Sequence, residues 1–269
     1  MTAAPRTTEP ATTAVLGLDR RVPALGGFSG TFLRLEVRRL LRNRRTLMFS
    51  VVMPPLFYFL FGASQHGESV GRGNVSAYVM ISLAVYGAMT SATSAGAMVA
   101  VERAQGWSRQ LRLTPLHPAA YVATKVLSAL VLSAFSVLAV FVAGALGGAR
   151  ADGWVWVAAA LIAWVGSLVF ACLGLFLGYL LPSENAMQFV GLVLTVLSFL
   201  GGLFVPLTVL SDGFRTLASW TPAYGVGVLA RAPLTSDHVD PGAVLNVVVW
   251  AGLFAAGAVW RFRRDTARV

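Results

Sequence analysis

The sequence predicts an all-α, polytopic membrane protein with six transmembrane helices. Of its 269 residues, 57% are apolar and only 12% are charged, which is about half the charged share of a typical soluble domain. Six apolar runs reach or approach the roughly 20 residues that a helix needs to cross the hydrocarbon core, whereas strands of a barrel need only about 10. These runs are residues 46–63, 77–100, 119–147, 154–181, 186–210 and 241–260.

The region before the first run divides into two parts. Residues 1–27 are polar and rich in Thr, Pro, Gly and Arg, so we expect a disordered leader rather than a cleavable signal. Residues 31–45 alternate as an amphipathic helix, with Leu33, Val37 and Leu40 on one face. Its basic face comprises Arg34, Arg38, Arg42 and Arg45. We predict a helix lying in the membrane interface, against anionic head groups. An ordinary basic flank of the first span is the alternative.

The net charge of +10 is distributed in a way that indicates topology. If the spans alternate, 17 of the 21 basic residues fall on one side of the membrane. The positive-inside rule then places both termini and residues 101–118 in the cytoplasm, and residues 64–76, 148–153 and 212–240 outside. This distribution argues against a nucleic-acid partner, which would need the charges on one continuous surface.

A charged connection, V-E-R-A-Q-G-W-S-R-Q-L-R-L-T-P-L-H-P at residues 101–118, separates the second and third runs. Its spacing predicts a helix over residues 101–113, ended by Thr114-Pro115. One stripe of this helix is polar and faces water, which we call the wet stripe, and another stripe is apolar. The wet stripe comprises Glu102, Gln105, Arg109 and Arg112, and the apolar stripe comprises Ala104, Trp107 and Leu111. The apolar stripe is able to contact a partner or lipid.

Three further features interrupt the apolar runs. Pro54-Pro55 predicts a kink in the first run unless neighbouring helices compensate for the lost hydrogen bond. Residues 214–234 are apolar but broken by two prolines, which favours a re-entrant element entering from the outer face. Hydroxyl side chains in the second run, Thr90, Ser91 and Ser94, either line a pathway or bond their own helix backbone.

Several kinds of chemistry are disfavoured. The single cysteine, Cys172, allows no intramolecular disulfide, and no H-E-x-x-H or G-x-S-x-G motif is present. No acidic residue lies in the middle of a run, where ion-coupled carriers place titratable groups. The only lysine, Lys125, is not part of a G-x-x-x-x-G-K-[ST] loop. We therefore expect no metal or cofactor in these residues, and ATP only on another polypeptide.

The order of these features resembles the permease subunit of ABC-2-type exporters, especially the bacterial drug-resistance branch that includes daunorubicin exporters. The resemblance covers about residues 28–264, the expected transmembrane domain, and leaves 265–269 as a cytoplasmic tail. The motifs that carry it are Glu102-Arg103 with Gly106, L-T-P-L at 113–116, N-A-M-Q at 185–188, Gly201-Gly202 with Pro206-Leu207, and P-A-Y at 222–224.

This resemblance implies a function. Residues 101–113 look like a coupling helix that docks on a separate ATP-binding subunit, which would bind ATP and Mg²⁺. The implied docking residues are Glu102, Arg103, Gly106, Trp107, Arg109 and Leu111. The second and fifth spans look like walls of a pathway between two protomers, either identical or sister chains. The implied pathway residues are Thr90, Ser91, Ser94, Gly201, Gly202 and Pro206.

The expected activity is export of an apolar or amphiphilic molecule, such as a drug, an antibiotic or a lipid, across a bacterial plasma membrane. An ion-coupled carrier or channel is the alternative, and a membrane-embedded enzyme is a more distant one.

Overall fold

The computed structural model describes residues 24–65, 67–106, 116–207, 211–236 and 238–267. A short 3-10 helix, Ala24–Gly27, lies within the expected leader, and its Gly26 carbonyl accepts a hydrogen bond of 2.8 Å from the backbone N–H of His117. The helices that follow, in chain order, are α1 Gly30–Arg42, α2 Arg44–Leu47, α3 Met53–Phe61, α4 Val75–Ala97, α5 Val99–Ala104, α6 Pro118–Leu146, α7 Gly153–Leu180, α8 Ser183–Leu200, α9 Asp212–Ser219, α10 Pro222–Thr235 and α11 Pro241–Ala267. A two-stranded antiparallel hairpin, β1 Ser69–Val70 and β2 Gly73–Asn74, precedes α4.

Within the described ranges, four helical stretches are long and apolar enough to cross a membrane: Val75–Ala104, Ala119–Leu146, Gly153–Leu180 and Pro241–Arg264. They match the second, third, fourth and sixth predicted runs, so the all-α membrane fold is confirmed. The fifth run was predicted too long, because α8 ends at Leu200 and the chain turns at Gly201 and Gly202. A count of six spans stays a prediction.

Helix α4 forms the centre of the fold. Most of its side chains are buried, and it packs along its length against α6 and α7. The approach of α4 to α7 needs a residue without a side chain, because a Cβ on Gly174 would overlap the Thr93 carbonyl oxygen. Small residues permit such close contact between membrane helices.

The outer faces of the other long helices carry exposed apolar side chains. Leu138, Val157, Leu192 and Leu245, on α6, α7, α8 and α11, are examples. A surface of this kind is stable when it faces lipid rather than water. The chain is a multi-pass membrane protein.

The first predicted run is a continuous helical stretch over residues 44–61, but it contains a π-helical turn, Met48–Val52, immediately before Pro54. Pro54 has no N–H to donate to the Ser50 carbonyl, four residues earlier. Two hydroxyls from neighbouring helices donate to that carbonyl instead, Ser91 Oγ at 3.2 Å and Ser136 Oγ at 2.5 Å. The compensation that proline requires inside a membrane is thus supplied by α4 and α6.

The predicted amphipathic helix is present as α1, although it ends at Arg42 rather than Arg45. Asn43 breaks the helix, and its side-chain oxygen accepts a hydrogen bond of 3.2 Å from the Thr46 N–H to start α2. Arg45 therefore lies on α2 and not on the amphipathic helix, which corrects the prediction. Leu40 is buried where α1 packs against α6.

The connections between helices gather at two opposite ends of the bundle. At the hairpin end, Arg72 donates to the carbonyls of Pro233 and Ser236, each at 3.1 Å, and the Asn74 N–H donates to the Arg150 carbonyl at 3.0 Å. At the α5 end, α5 contacts α1, the start of α6 and the last turn of α7. The three connections predicted to be external thus meet at the same end.

The segment predicted to be re-entrant, residues 214–234, forms parts of α9 and α10, joined at Trp220 and Thr221. The 14 residues of α10 extend about 21 Å at the usual helical rise, too short for a hydrocarbon core of about 30 Å. Helix α10 packs against α4, α7 and α11. Entry from the outer face stays a prediction.

Candidate functional site

Five polar side chains from three helices meet at the α5 end. We call them the charge cluster: Glu36 and Arg39 of α1, Glu102 of α5, and Tyr121 and Lys125 of α6. The amphipathic pattern of α1 contributes to this arrangement, because its only carboxylate is buried against α6, whereas Arg34, Arg38 and Arg42 are exposed.

Lys125 and Glu102 form the centre of the charge cluster. Lys125 Nζ donates to Glu36 Oε1 and to Glu102 Oε1, both at 2.5 Å. Arg39 donates to the same Glu102 oxygen at 2.7 Å, and Tyr121 Oη donates to Glu102 Oε2 at 2.6 Å. Both oxygens of Glu102 are therefore occupied, and one residue of α5 is bonded to α1 and to α6.

The charge cluster is buried and electrically balanced. Lys125 is 1% exposed and Glu102 is 2% exposed, while Arg39 lies at the edge at 41%. Two carboxylates face two cations, so each buried ion has a partner. Because desolvation of an unpaired ion costs several kcal/mol (about 3–5), the cluster is stable only when it is complete.

The next residue, Arg103, bonds in another direction. It donates to the carbonyls of Gly178 and Tyr179, at 3.1 and 3.0 Å, and lies over the Tyr179 ring. These carbonyls end α7, where the helix dipole favours a cation. Glu102 and Arg103 together tie α5 to α1, α6 and α7.

This placement corrects the prediction for residues 101–106. Glu102 was predicted on the wet stripe, but it is buried because two cations and a tyrosine surround it. The helix ends at Ala104, and Gly106 adopts a φ of 74°, which ends helical geometry. Trp107, Arg109 and Leu111 lie outside the described residues, so their docking role stays a prediction.

The predicted pathway residues occupy different environments. Thr90 donates to the Gly87 carbonyl of its own helix at 3.0 Å, and Ser91 donates to the Ser50 carbonyl. Ser94 is half-buried. Gly201 and Gly202 are buried in the turn after α8, and Pro206 is exposed.

Gly202 contacts a residue that was predicted to lie in an external connection. Arg231 of α10 is only 4% exposed, and its guanidinium donates to the Gly202 carbonyl and to Ser82 Oγ, each at 3.1 Å. It also lies 5.2 Å from the centre of the Tyr78 ring. Arg231 thus ties α10 to α4 and to the turn after α8, near the hairpin end.

The family of this chain follows from sequence comparison. Residues 30–233 match the protein family described as "ABC-2 type transporter". The chain belongs to this family. It is also 27% identical, over 194 residues, to the curated protein named "Putative transport permease YvfS" of Bacillus subtilis strain 168. That alignment covers 71% of this chain and 79% of the relative.

The match confirms the resemblance to ABC-2 permeases, and the chain is a transport permease rather than an enzyme. Membership of the drug-resistance branch stays a prediction. The family segment begins at the start of α1 and ends within α10. It therefore includes the whole charge cluster and both residues of the Glu102-Arg103 pair.

Proposed function

We propose that this ABC-2 permease is the membrane-spanning subunit of an exporter, which moves an apolar or amphiphilic molecule out of the cell with ATP hydrolysed by a separate subunit. The observation that carries the proposal is that two adjacent residues of α5 bond to different helices. Glu102 is bonded to α1 and α6, whereas Arg103 is bonded to the end of α7. These two residues lie at the start of the segment 101–113, where the ATP-binding subunit would dock.

Glu102 and Arg103 would transmit a movement of the docking segment to the transmembrane helices. A partner that displaces residues 101–113 pulls on α1 and α6 through Glu102, and on the end of α7 through Arg103. Helix α4, which is followed directly by α5, moves with them. A ligand shifts a two-state equilibrium only by its difference in affinity for the two states, so ATP in the partner has to favour one packing of these helices.

The proposed partner supplies the nucleotide chemistry. The 269 residues contain no G-x-x-x-x-G-K-[ST] loop, and the single lysine is engaged with Glu36 and Glu102. ATP and Mg²⁺ would therefore be bound by the ATP-binding subunit. A second permease protomer, identical or related, would complete the pathway along α4 and α8.

The proposed topology has six spans, both termini in the cytoplasm and the α5 end at the inner face of the plasma membrane. The basic residues of α1 and of the last turn of α11 lie at the α5 end, and the positive-inside rule would place that end in the cytoplasm. Helix α1 would lie in the inner interface, and α10 would enter from the outer face.

A reconstitution experiment tests the export proposal. In proteoliposomes that contain the permease and the ATP-binding subunit, efflux of a fluorescent amphiphile should survive a protonophore. It should be lost when the partner's P-loop lysine is replaced. Movement driven by a pH gradient through the permease alone would overturn the proposal in favour of an ion-coupled carrier.

Two substitutions test the coupling route. Glu102→Gln should keep the ATP-binding subunit associated but lower cargo-stimulated ATP hydrolysis, because the bond to Lys125 loses its charge. Trp107→Ala should weaken association without disturbing the charge cluster. Glu68→Gln, the same change at an exposed site at the hairpin end, is the control. Normal stimulation in both Glu102→Gln and Trp107→Ala would remove this segment from the mechanism.

A further inference from the structure

An open pocket of about 510 Å³ lies beside the charge cluster. Its size falls within the range of small-molecule sites, roughly 300–1,000 Å³. Its lining residues come from α1, from the break between α1 and α2, and from the break between α4 and α5. They include Leu35, Arg38, Arg39, Arg42, Asn43 and Met98.

The pocket has an excess of positive charge. Arg38 and Arg42 are exposed and four residues apart on α1, where like charges repel. Among the described residues, neither is in an ion pair, whereas Arg39 is bonded to Glu102. One turn of helix therefore presents two uncompensated guanidinium groups to the same opening. An anion that bridged them would remove this repulsion.

The lining favours a phosphate group attached to an apolar body. Guanidinium groups bind phosphate oxygens through paired hydrogen bonds, and the Asn43 amide adds a neutral hydrogen-bonding group. Leu35, which is 58% exposed, and Met98 give the same pocket an apolar side. A free phosphate would make no apolar contact with Leu35 and Met98, whereas the glycerol and upper acyl chain of a lipid would cover both side chains.

We propose that this pocket binds the head group of an anionic phospholipid from the inner leaflet. The leaflet assignment rests on the proposed topology, which places α1 in the inner interface. The pocket differs from a general basic surface because the binding residues are a defined subset of the basic residues of this region. Arg34 and Arg45 are also exposed but are not among its lining residues.

The bound lipid would act on the coupling residue through Arg39. This side chain lines the pocket and also donates to Glu102 Oε1 at 2.7 Å. A phosphate in the pocket attracts the Arg39 guanidinium and shares it with Glu102. The charge of the inner leaflet therefore influences how firmly α5 is held to α1.

Lipid binding to the purified permease tests the proposal. Native mass spectrometry in neutral detergent would give the affinities for phosphatidylglycerol and phosphatidylcholine, with inorganic phosphate as a soluble competitor. Arg38→Gln/Arg42→Gln should lower the affinity for phosphatidylglycerol about tenfold or more. Arg34→Gln/Arg45→Gln removes the same charge from the same region and should change it less than about threefold. Arg38→Lys/Arg42→Lys keeps the charge but loses the forked geometry of the guanidinium groups. Its affinity for phosphatidylglycerol should therefore lie between those of the two glutamine pairs.

Three results would overturn the proposal: equal losses in the two glutamine pairs, equal affinity for the two lipids, or full displacement of phosphatidylglycerol by millimolar inorganic phosphate. The first would indicate a non-specific basic surface, and the last would indicate a site for free anions. Neither the ATP-binding subunit nor a cargo is present in this assay, so failure of the export proposal would not change its result.

Discussion

Replacement of Lys125 by methionine provides a direct test of the charge cluster. Methionine fills nearly the same volume but leaves two carboxylates with one cation, the partly exposed Arg39. Glu102 keeps its bonds to Arg39 and Tyr121, at 2.7 and 2.6 Å. Glu36 is left with Arg39 at 3.9 Å, which is too long for a hydrogen bond.

The expected cost follows from this geometry. Removal of one member of a buried ion pair destabilises a protein by about 3–5 kcal/mol, because the remaining charge is desolvated and unpaired. For a chain of this size, roughly 2–4 °C of melting temperature corresponds to 1 kcal/mol. We therefore expect Lys125→Met to melt on the order of 10 °C below the wild type.

A second substitution should restore stability. Glu36→Gln combined with Lys125→Met leaves one carboxylate and one guanidinium, so the charges balance again. We expect the double variant to regain at least about half of the loss. Arg45→Met also replaces a cation by methionine, but at an exposed site, and should change the stability by less than about 0.5 kcal/mol.

The seven tryptophans give an intrinsic signal for scanning fluorimetry of the purified permease in detergent. All four proteins would be compared at one scan rate, since the unfolding of membrane proteins is commonly irreversible. If Lys125→Met melted with the wild type, the buried ion pairs would not be needed for stability. If the double variant melted no higher than Lys125→Met, the charge-balance argument would be wrong.

The long helices could be predicted from the sequence because uninterrupted apolar length is a local property. Helices α4, α6 and α7 begin and end within about three residues of the predicted runs. The fifth run was different, since apolar residues continue beyond Leu200 although the helix does not. The backbone reverses at Gly202, with a φ of 67°, and hydropathy contains no information about such a turn.

The charge cluster could not be predicted from spacing, because its partners are distant in sequence. Lys125 lies 89 residues from Glu36 and 23 residues from Glu102. Two local signals were nevertheless present: the only lysine lies near the start of an apolar run, and the only acidic residue of α1 lies among arginines. Isolated charges in membrane helices generally indicate partners. The sequence-based prediction considered only acidic residues in the middle of an apolar run.

Arg231 was missed for a related reason. A count of positive charges by loop treats every arginine near a span end as a solvated topology signal. In the structure, this side chain is buried between α4, α10 and the turn after α8. Its contacts are a hydroxyl, a carbonyl and an aromatic ring, none of which is recognisable as a partner in a charge count.

Three further predictions concern topology and helix packing. With Cys172→Ser as background, single cysteines at the exposed positions Ser69 and His238 should react with an impermeant maleimide in intact cells. A single cysteine at the exposed position Gln105 should react only after the cells are permeabilised. The reverse labelling pattern would invert the topology. Gly174→Ala should destabilise the protein by roughly 2 kcal/mol or more, because the new Cβ would overlap the Thr93 carbonyl. The control, Gly252→Ala, has open space around it and should be neutral or stabilising by about 0.5–1 kcal/mol. Equal effects of the two substitutions on stability would contradict the close contact of α4 and α7. The last prediction concerns the Ser50 carbonyl, which accepts two hydroxyls because Pro54 offers no N–H. Ser91→Ala or Ser136→Ala alone should cost less than about 1 kcal/mol, since one hydroxyl remains, but the double variant should cost about 1–3 kcal/mol because a carbonyl is left unpaired inside the membrane. Pro54→Ala should reduce the cost of the double variant, because alanine restores an N–H that the Ser50 carbonyl accepts within the helix. If Pro54→Ala lowered the melting temperature equally in the wild type and in the double variant, the two hydroxyls would not be substituting for the missing backbone bond.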